Sequence, residues 1–161
     1  MNTTGKIISL SDLALKIKEL KAQNKKIVAT NGAFDLLHVS HKRALEGSKS
    51  LGDVLIVGLN SDVSIRMSKS SGRPIIPELQ RAELVAALEC VDLVTIFNEK
   101  DPVQFLETVH PHIYTKGGDY TKEQNLAVDW VRNNVGDVVI VPGGSEQSTT
   151  KIIEKIVTTH S

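Results

Sequence analysis

The sequence has a single cysteine, Cys90, so no internal disulfide can form. Neither sign of charge is in excess: 19 Lys and Arg meet 19 Asp and Glu. A general nucleic-acid or membrane surface needs a basic surplus, so neither partner is expected. No apolar run is long enough to cross a bilayer, and the N-terminus does not read as a secretion signal. A cytoplasmic location is the expectation. What is present is a globular balance of 40% hydrophobic and 24% charged residues in 161. That is enough for one domain with a real core, residues 1–161, with an N-terminal helix at about 9–23 and a core at about 26–157.

Five short runs rich in Val and Ile read as buried parallel strands: Ile27–Thr30, Val54–Leu59, Leu93–Phe97, Ile113–Lys116 and Val138–Val141. Helical patterns lie between them. Leu13, Ile17 and Leu20 repeat at helical spacing behind a Ser9/Asp12 start. Further helices are expected from Ser40 to Lys49, from Arg81 to Glu89, from Pro102 as a first helical residue, after a Thr121/Gln124 capping box, and from Thr149 to Val157. Strands alternating with helices predict an α/β fold: a three-layer, doubly wound parallel sheet of five strands. Ligands in such folds sit beyond the carboxyl ends of the strands. Ser68–Pro77 is rich in Ser, Gly and Pro and reads as a mobile loop.

The first strand runs into Thr30-Asn31-Gly32-Ala33-Phe34-Asp35-Leu36-Leu37-His38-Val39-Ser40-His41 and then a helix. Gly32 permits a tight turn. His38 and His41 share a helical face, at a helix start whose free N–H groups and dipole favour phosphate. Imidazoles there can donate to phosphoryl oxygens as charge builds on them. The same spacing, with Asp35, also allows a metal site and a metal-hydrolase reading.

Asn31–His41 resembles the signature (T/N)GxFDxxHxGH of the cytidylyltransferase-like nucleotidyltransferases. Asn60-Ser61-Asp62, Gly72-Arg73-Pro74-Ile75, Arg81-Ala82-Glu83, Lys116-Gly117-Gly118-Asp119-Tyr120 and Ser148-Thr149-Thr150-Lys151-Ile152-Ile153 follow in order. Together they are similar to the adenylyltransferase domain of the bacterial bifunctional heptose kinase/adenylyltransferases, over about Ile27 to Val157, without the kinase half.

The resemblance implies a Rossmann-like nucleotidyltransferase fold that transfers AMP from ATP to a sugar 1-phosphate, a heptose 1-phosphate in this branch, releasing pyrophosphate. The products would be nucleotide sugars for lipopolysaccharide or other surface glycans. CTP with glycerol 3-phosphate or another phosphoalcohol is the second option, and a weakly active nucleotide-binding protein the third. Mg²⁺ would come with the triphosphate, and a homodimer is expected.

On this sequence, the resemblance puts Asn31, Gly32, Ala33, Phe34 and Asp35 around the nucleotide phosphates, with His38 and His41 on the transferring phosphoryl group. Lys116, Gly117, Gly118 and Asp119, and Ser148, Thr149 and Thr150 at a helix start, complete the nucleotide site. Lys69 would act in catalysis as a phosphate clamp. Arg73, Arg81 and Asp62 would meet the acceptor; Arg81 at a helix start runs against the dipole preference, which a ligand phosphate would explain. The family's glycine between the histidines is Ser40 here, expected either to cap the helix while crowding the nucleotide or to hydrogen-bond the nucleotide itself. His110 and His112 read as structural, Trp130 as core or interface, and Cys90 as inert.

Overall fold

Ser9 fixes where the first helix begins. Its Oγ accepts the Asp12 N–H at 3.1 Å, and α1 runs Leu10–Ala22 with Leu13, Ile17 and Leu20 buried along one stripe. The computed structural model describes residues 3–68, 72–117, 126–134, 137–143 and 147–160. After α1 come β1 (Ile27–Gly32), α2 (Val39–Lys49), β2 (Val54–Asn60), α3 (Asp62–Arg66), α4 (Glu78–Ala86), β3 (Leu93–Phe97), α5 (Val103–Val109), β4 (Ile113–Gly117), α6 (Leu126–Asn134), β5 (Asp137–Val141) and α7 (Thr149–His160).

The five strands form one parallel sheet in the order β3-β2-β1-β4-β5. Side chains alternate between its faces, as the two-residue strand period requires. Ile27, Ala29 and Ile56 join Leu13, Ile17, Phe105, Leu106 and Tyr114 on the side of α1 and α5. Val28, Leu55, Val57 and Leu59 join Leu45, Ala82, Val85 and Ala86 on the side of α2 and α4. Gly58 is required by a close approach: a Cβ there would lie 2.9 Å from the Phe105 ring. The winding reverses between β1 and β4, which opens a crevice at their carboxyl ends.

All five expected strands are present, with β1, β2 and β4 running slightly further and β5 beginning one residue earlier, at Asp137. Three helix starts differ from expectation. α4 begins at Glu78, after Pro77, so Arg81 stands one turn inside it. Pro102 is the residue before α5 rather than its first. α2 begins at Val39, and His38, extended at φ −139°, takes the capping place assigned to Ser40. The short α3, capped by Ser61, and a 3₁₀ turn over Thr3–Lys6 were not expected. The Thr121/Gln124 capping box lies outside the described residues. No helix among those described is long and apolar enough to cross a membrane.

Candidate active site

A cavity of about 400 Å³ occupies the crevice. Its floor is the end of β1, Thr30 to Gly32, and Gly117 at the end of β4; one wall is the first turn of α2 and the facing wall is Ser148, Thr149 and Thr150 at the start of α7. Twelve expected residues meet here: Asn31, Gly32, Ala33, Phe34, Asp35, His38, His41, Arg73, Gly117, Ser148, Thr149 and Thr150. Lys116, Asp62 and Arg81 do not line it. Lys69, Gly118 and Asp119 lie outside the described residues.

The chain turns sharply after β1, but not at Gly32. Phe34 takes the left-handed conformation, φ 47°, a costly state for an aromatic residue and one that gathers at functional sites. Gly32 is needed for another reason: a Cβ on it would lie 2.9 Å from the Phe34 ring, which folds back over it.

His38 and His41 stand at the cap and third position of α2 with rings stacked 3.8 Å apart between centroids and inclined by 27°. The His38 N–H donates to His41 Nδ1 at 3.4 Å. A ring nitrogen that accepts carries no proton, so neutral His41 holds its hydrogen on Nε2. Burial, and next the neighbouring His38, bring the His41 pKa down to about 4; burial also lowers that of His38. Both rings are therefore neutral near pH 7. His38 Nδ1 is buried with no hydrogen-bond partner among the described residues.

The Asp35 carboxylate, 1% exposed, gathers the segment after Gly72. Its Oδ2 accepts from Arg73 Nε at 2.6 Å and its Oδ1 from the N–H groups of Ile75 and Ile76 at 2.8 and 2.9 Å. Asp35 is thus occupied, against its use as a metal ligand beside the histidines. Among the described residues no group of three His, Cys, Asp or Glu is placed to hold a metal. Arg73 is engaged through Nε alone, so its two terminal amino groups remain at the cavity wall with no hydrogen-bond partner among the described residues.

Arg81 corrects an expectation. It is 0% exposed, and its guanidinium donates to the carbonyls of Ile76, Ala33 and Asn60 and to Asp62 Oδ1. The positive charge that the dipole argument assigned to a ligand phosphate is answered inside the protein. Arg81 and Asp62 tie α4, α3 and the exits of β1 and β2 together, and neither is among the lining residues of the cavity.

Ser40 is also placed differently. It is 8% exposed, and its hydroxyl donates to the carbonyl of Gln147, just before α7, at 3.3 Å. Ser148 Oγ accepts the Lys151 N–H at 3.2 Å, which caps the start of α7. The cavity also takes in Ala44, Leu45, Gly143 and Gln147, which sequence reading left out. Helical spacing gave a signal for the first two, since they follow His41 by three and four residues. Gly143 follows β5 as Gly117 closes β4.

A family model described as cytidylyltransferase-like matches residues 29–156. The Bifunctional protein HldE of Geobacter metallireducens is 48% identical over 155 residues, covering 96% of this chain and 32% of that protein. The protein of the same name from Geotalea uraniireducens is 46% identical, with the same two coverages. The chain therefore spans about a third of the length of these curated relatives. Among solved structures, the lipopolysaccharide core biosynthesis protein from Thermoplasma volcanium is 30% identical, with a TM-score of 0.61, covering 73% of this chain and 96% of that one.

Proposed function

This chain belongs to the cytidylyltransferase-like family, and from that premise we propose that it is an adenylyltransferase, which moves AMP from ATP onto a heptose 1-phosphate and releases pyrophosphate. The product would serve the synthesis of lipopolysaccharide or other surface glycans. The observation that carries this reading is the pair of neutral, stacked imidazoles at the first turn of α2, facing the hydroxyls at the start of α7 across one cavity. Two helix N-termini converge on it, and each offers unpaired N–H groups and a positive dipole end to a triphosphate. The motif set shared with the adenylyltransferase domain of the bacterial bifunctional heptose kinase/adenylyltransferases supports ATP and a heptose phosphate over other pairs, and the similarity to the Thermoplasma lipopolysaccharide core biosynthesis protein supports a role in that synthesis.

In this reading an oxygen of the acceptor phosphate attacks the α-phosphorus in line. The bond from that phosphorus to the bridging oxygen breaks, and pyrophosphate leaves with the electron pair. No covalent enzyme intermediate forms, so catalysis is positioning and charge stabilisation. His41 donates from Nε2 to the transferring phosphoryl group, with His38 beside it. Thr149 and Thr150 hold the outer phosphates, and the free end of Arg73 meets phosphate charge at the cavity wall.

Asp35 is the one carboxylate among the described lining residues and is already engaged. This donor set fits a Mg²⁺ carried in by the triphosphate oxygens and water, which needs few protein ligands. That ion supplies neutralisation of the triphosphate charge.

The protein would work in the cytoplasm as a homodimer. Sedimentation at micromolar concentration checks the assembly, and a monomer alone removes it. The activity is tested by a pyrophosphate-release screen of the four nucleoside triphosphates against sugar 1-phosphates and polyol phosphates. ATP with a heptose 1-phosphate is the expected pair. Turnover with CTP and glycerol 3-phosphate, or nucleotide binding without release, overturns the assignment.

A further inference from the structure

We propose that Asn31 determines substrate binding through its side-chain amide, which Tyr114 and Lys116 orient so that both of its N–H donors face a phosphate oxygen in the cavity. This rests on the reading of the cavity as a nucleotidyl-transfer site and adds to it a specific donor and two positioning residues.

The orientation follows from which groups can accept. Lys116 Nζ lies 2.8 Å from Asn31 Oδ1. An ammonium only donates, so the Asn31 atom facing it is the oxygen. The Tyr114 hydroxyl donates to the same oxygen. Two donors from β4 thus hold one end of the amide. Tyr114 is 0% exposed, and the Lys116 ammonium also sits 5.2 Å from its ring centroid, so the supporting pair is part of the wall. Neither residue lines the cavity, whereas Asn31 does. The amide NH₂ is the end left with no hydrogen-bond partner among the described residues, and the residue that carries it lines the cavity.

This arrangement changes the part assigned to Lys116. Its positive charge stands behind the amide oxygen rather than against a ligand. A carbonyl oxygen bonded to a cation draws electron density from its own nitrogen, which makes the N–H groups better donors. Burial lowers the Lys116 pKa to about 8, in keeping with a cation set into the wall. The ligand chemistry that suits this wall is a phosphate oxygen, supplied either by the nucleotide or by the acceptor.

The test is Asn31→Asp, which keeps the size and an oxygen for Tyr114 and Lys116 but replaces both donors by a second oxygen. Calorimetry measures ATP and heptose 1-phosphate separately on wild type and variant, with melting temperature as the check on folding. Binding of one of the two falls by about 10–100-fold, as expected when a hydrogen bond to a charged group is lost, and which one falls identifies the source. Lys116→Met weakens the same ligand by a smaller factor and leaves the other unchanged, a selectivity that general loosening would not produce. Asn31→Ala serves if Asn31→Asp does not fold, with the same expected loss. Affinities for both ligands within twofold of wild type overturn the proposal. Because binding is read directly, this outcome is separate from the turnover screen: a wild type that binds both ligands without releasing pyrophosphate defeats the activity and leaves the Asn31 result standing.

Discussion

His41 Nδ1 accepts the N–H of His38, the residue that caps its own helix, and that bond decides where its proton sits. With the ring neutral and its hydrogen on Nε2, its part in the proposed reaction is to bond to charge that appears in the transition state. Replacing His38 or His41 by Ala should therefore lower turnover by about 10²–10³-fold, the usual cost of losing one such donor, with a much smaller change in ATP affinity. Steady-state rates beside calorimetric affinities check this, and near-normal turnover in either variant would remove that residue from catalysis. Ser40 has a different task from the one its position suggested. Its hydroxyl joins the first turn of α2 to the carbonyl before α7, so it links two walls of the cavity. Ser40→Ala should weaken ATP binding by about 2–10-fold, matching one net hydrogen bond of roughly 0.5–1.5 kcal/mol. Ser40→Gly should do the same; tighter binding in the glycine variant would mean that the side chain crowds the nucleotide after all.

Elements were legible where burial alone made them. The five strands are β-branched runs that pack on both faces, and Val54 to Leu59 is buried at every position, so no tertiary knowledge was needed. α3 was not legible because five residues give no period, and its start depends on Ser61 capping the Ser64 N–H. α4 was misplaced because Arg81 looked like a helix start, when its charge is buried against Asp62, nineteen residues earlier. Asp35 and Arg73 likewise meet across thirty-eight residues. Pairings of this kind are set by how the elements stack, and no local pattern announces them. The motif Asn31–His41 gave the site its place; the inward partners of its side chains came only from the fold. Packing also makes a test at this scale. Gly58 lies against the Phe105 ring, both in the interior, and an added methyl must push the ring or β2. Gly58→Ala should cost about 1–3 kcal/mol, as overpacking a filled core does, seen as a lower denaturant midpoint. An unchanged midpoint would show that α5 does not pack on β2 as described.

For the molecule as a whole, the chemistry of the site sets how stability depends on acidity. His41 is held near 4 and His38 is also lowered, whereas an unfolded histidine titrates near 6.5. In the window between about pH 4 and 6.5 the unfolded chain therefore binds more protons than the folded one. Stability then rises with pH across that window, is fully present above it, and is lost as the pH falls toward 4. Carboxylates throughout the protein respond to acid as well, so wild type alone cannot isolate the pair. The difference between wild type and His41→Asn can. Asparagine does not titrate, and it also removes the partner against which His38 stacks. Urea midpoints at pH 7 and pH 5 should thus fall further in wild type than in His41→Asn. The same variant should lose turnover at both pH values, since what it gives up in acid sensitivity is the neutral Nε2–H donor itself. Equal acid sensitivity in the two proteins would mean that His41 is not held neutral by the fold, and the proton placement on which its catalytic role depends would fail with it.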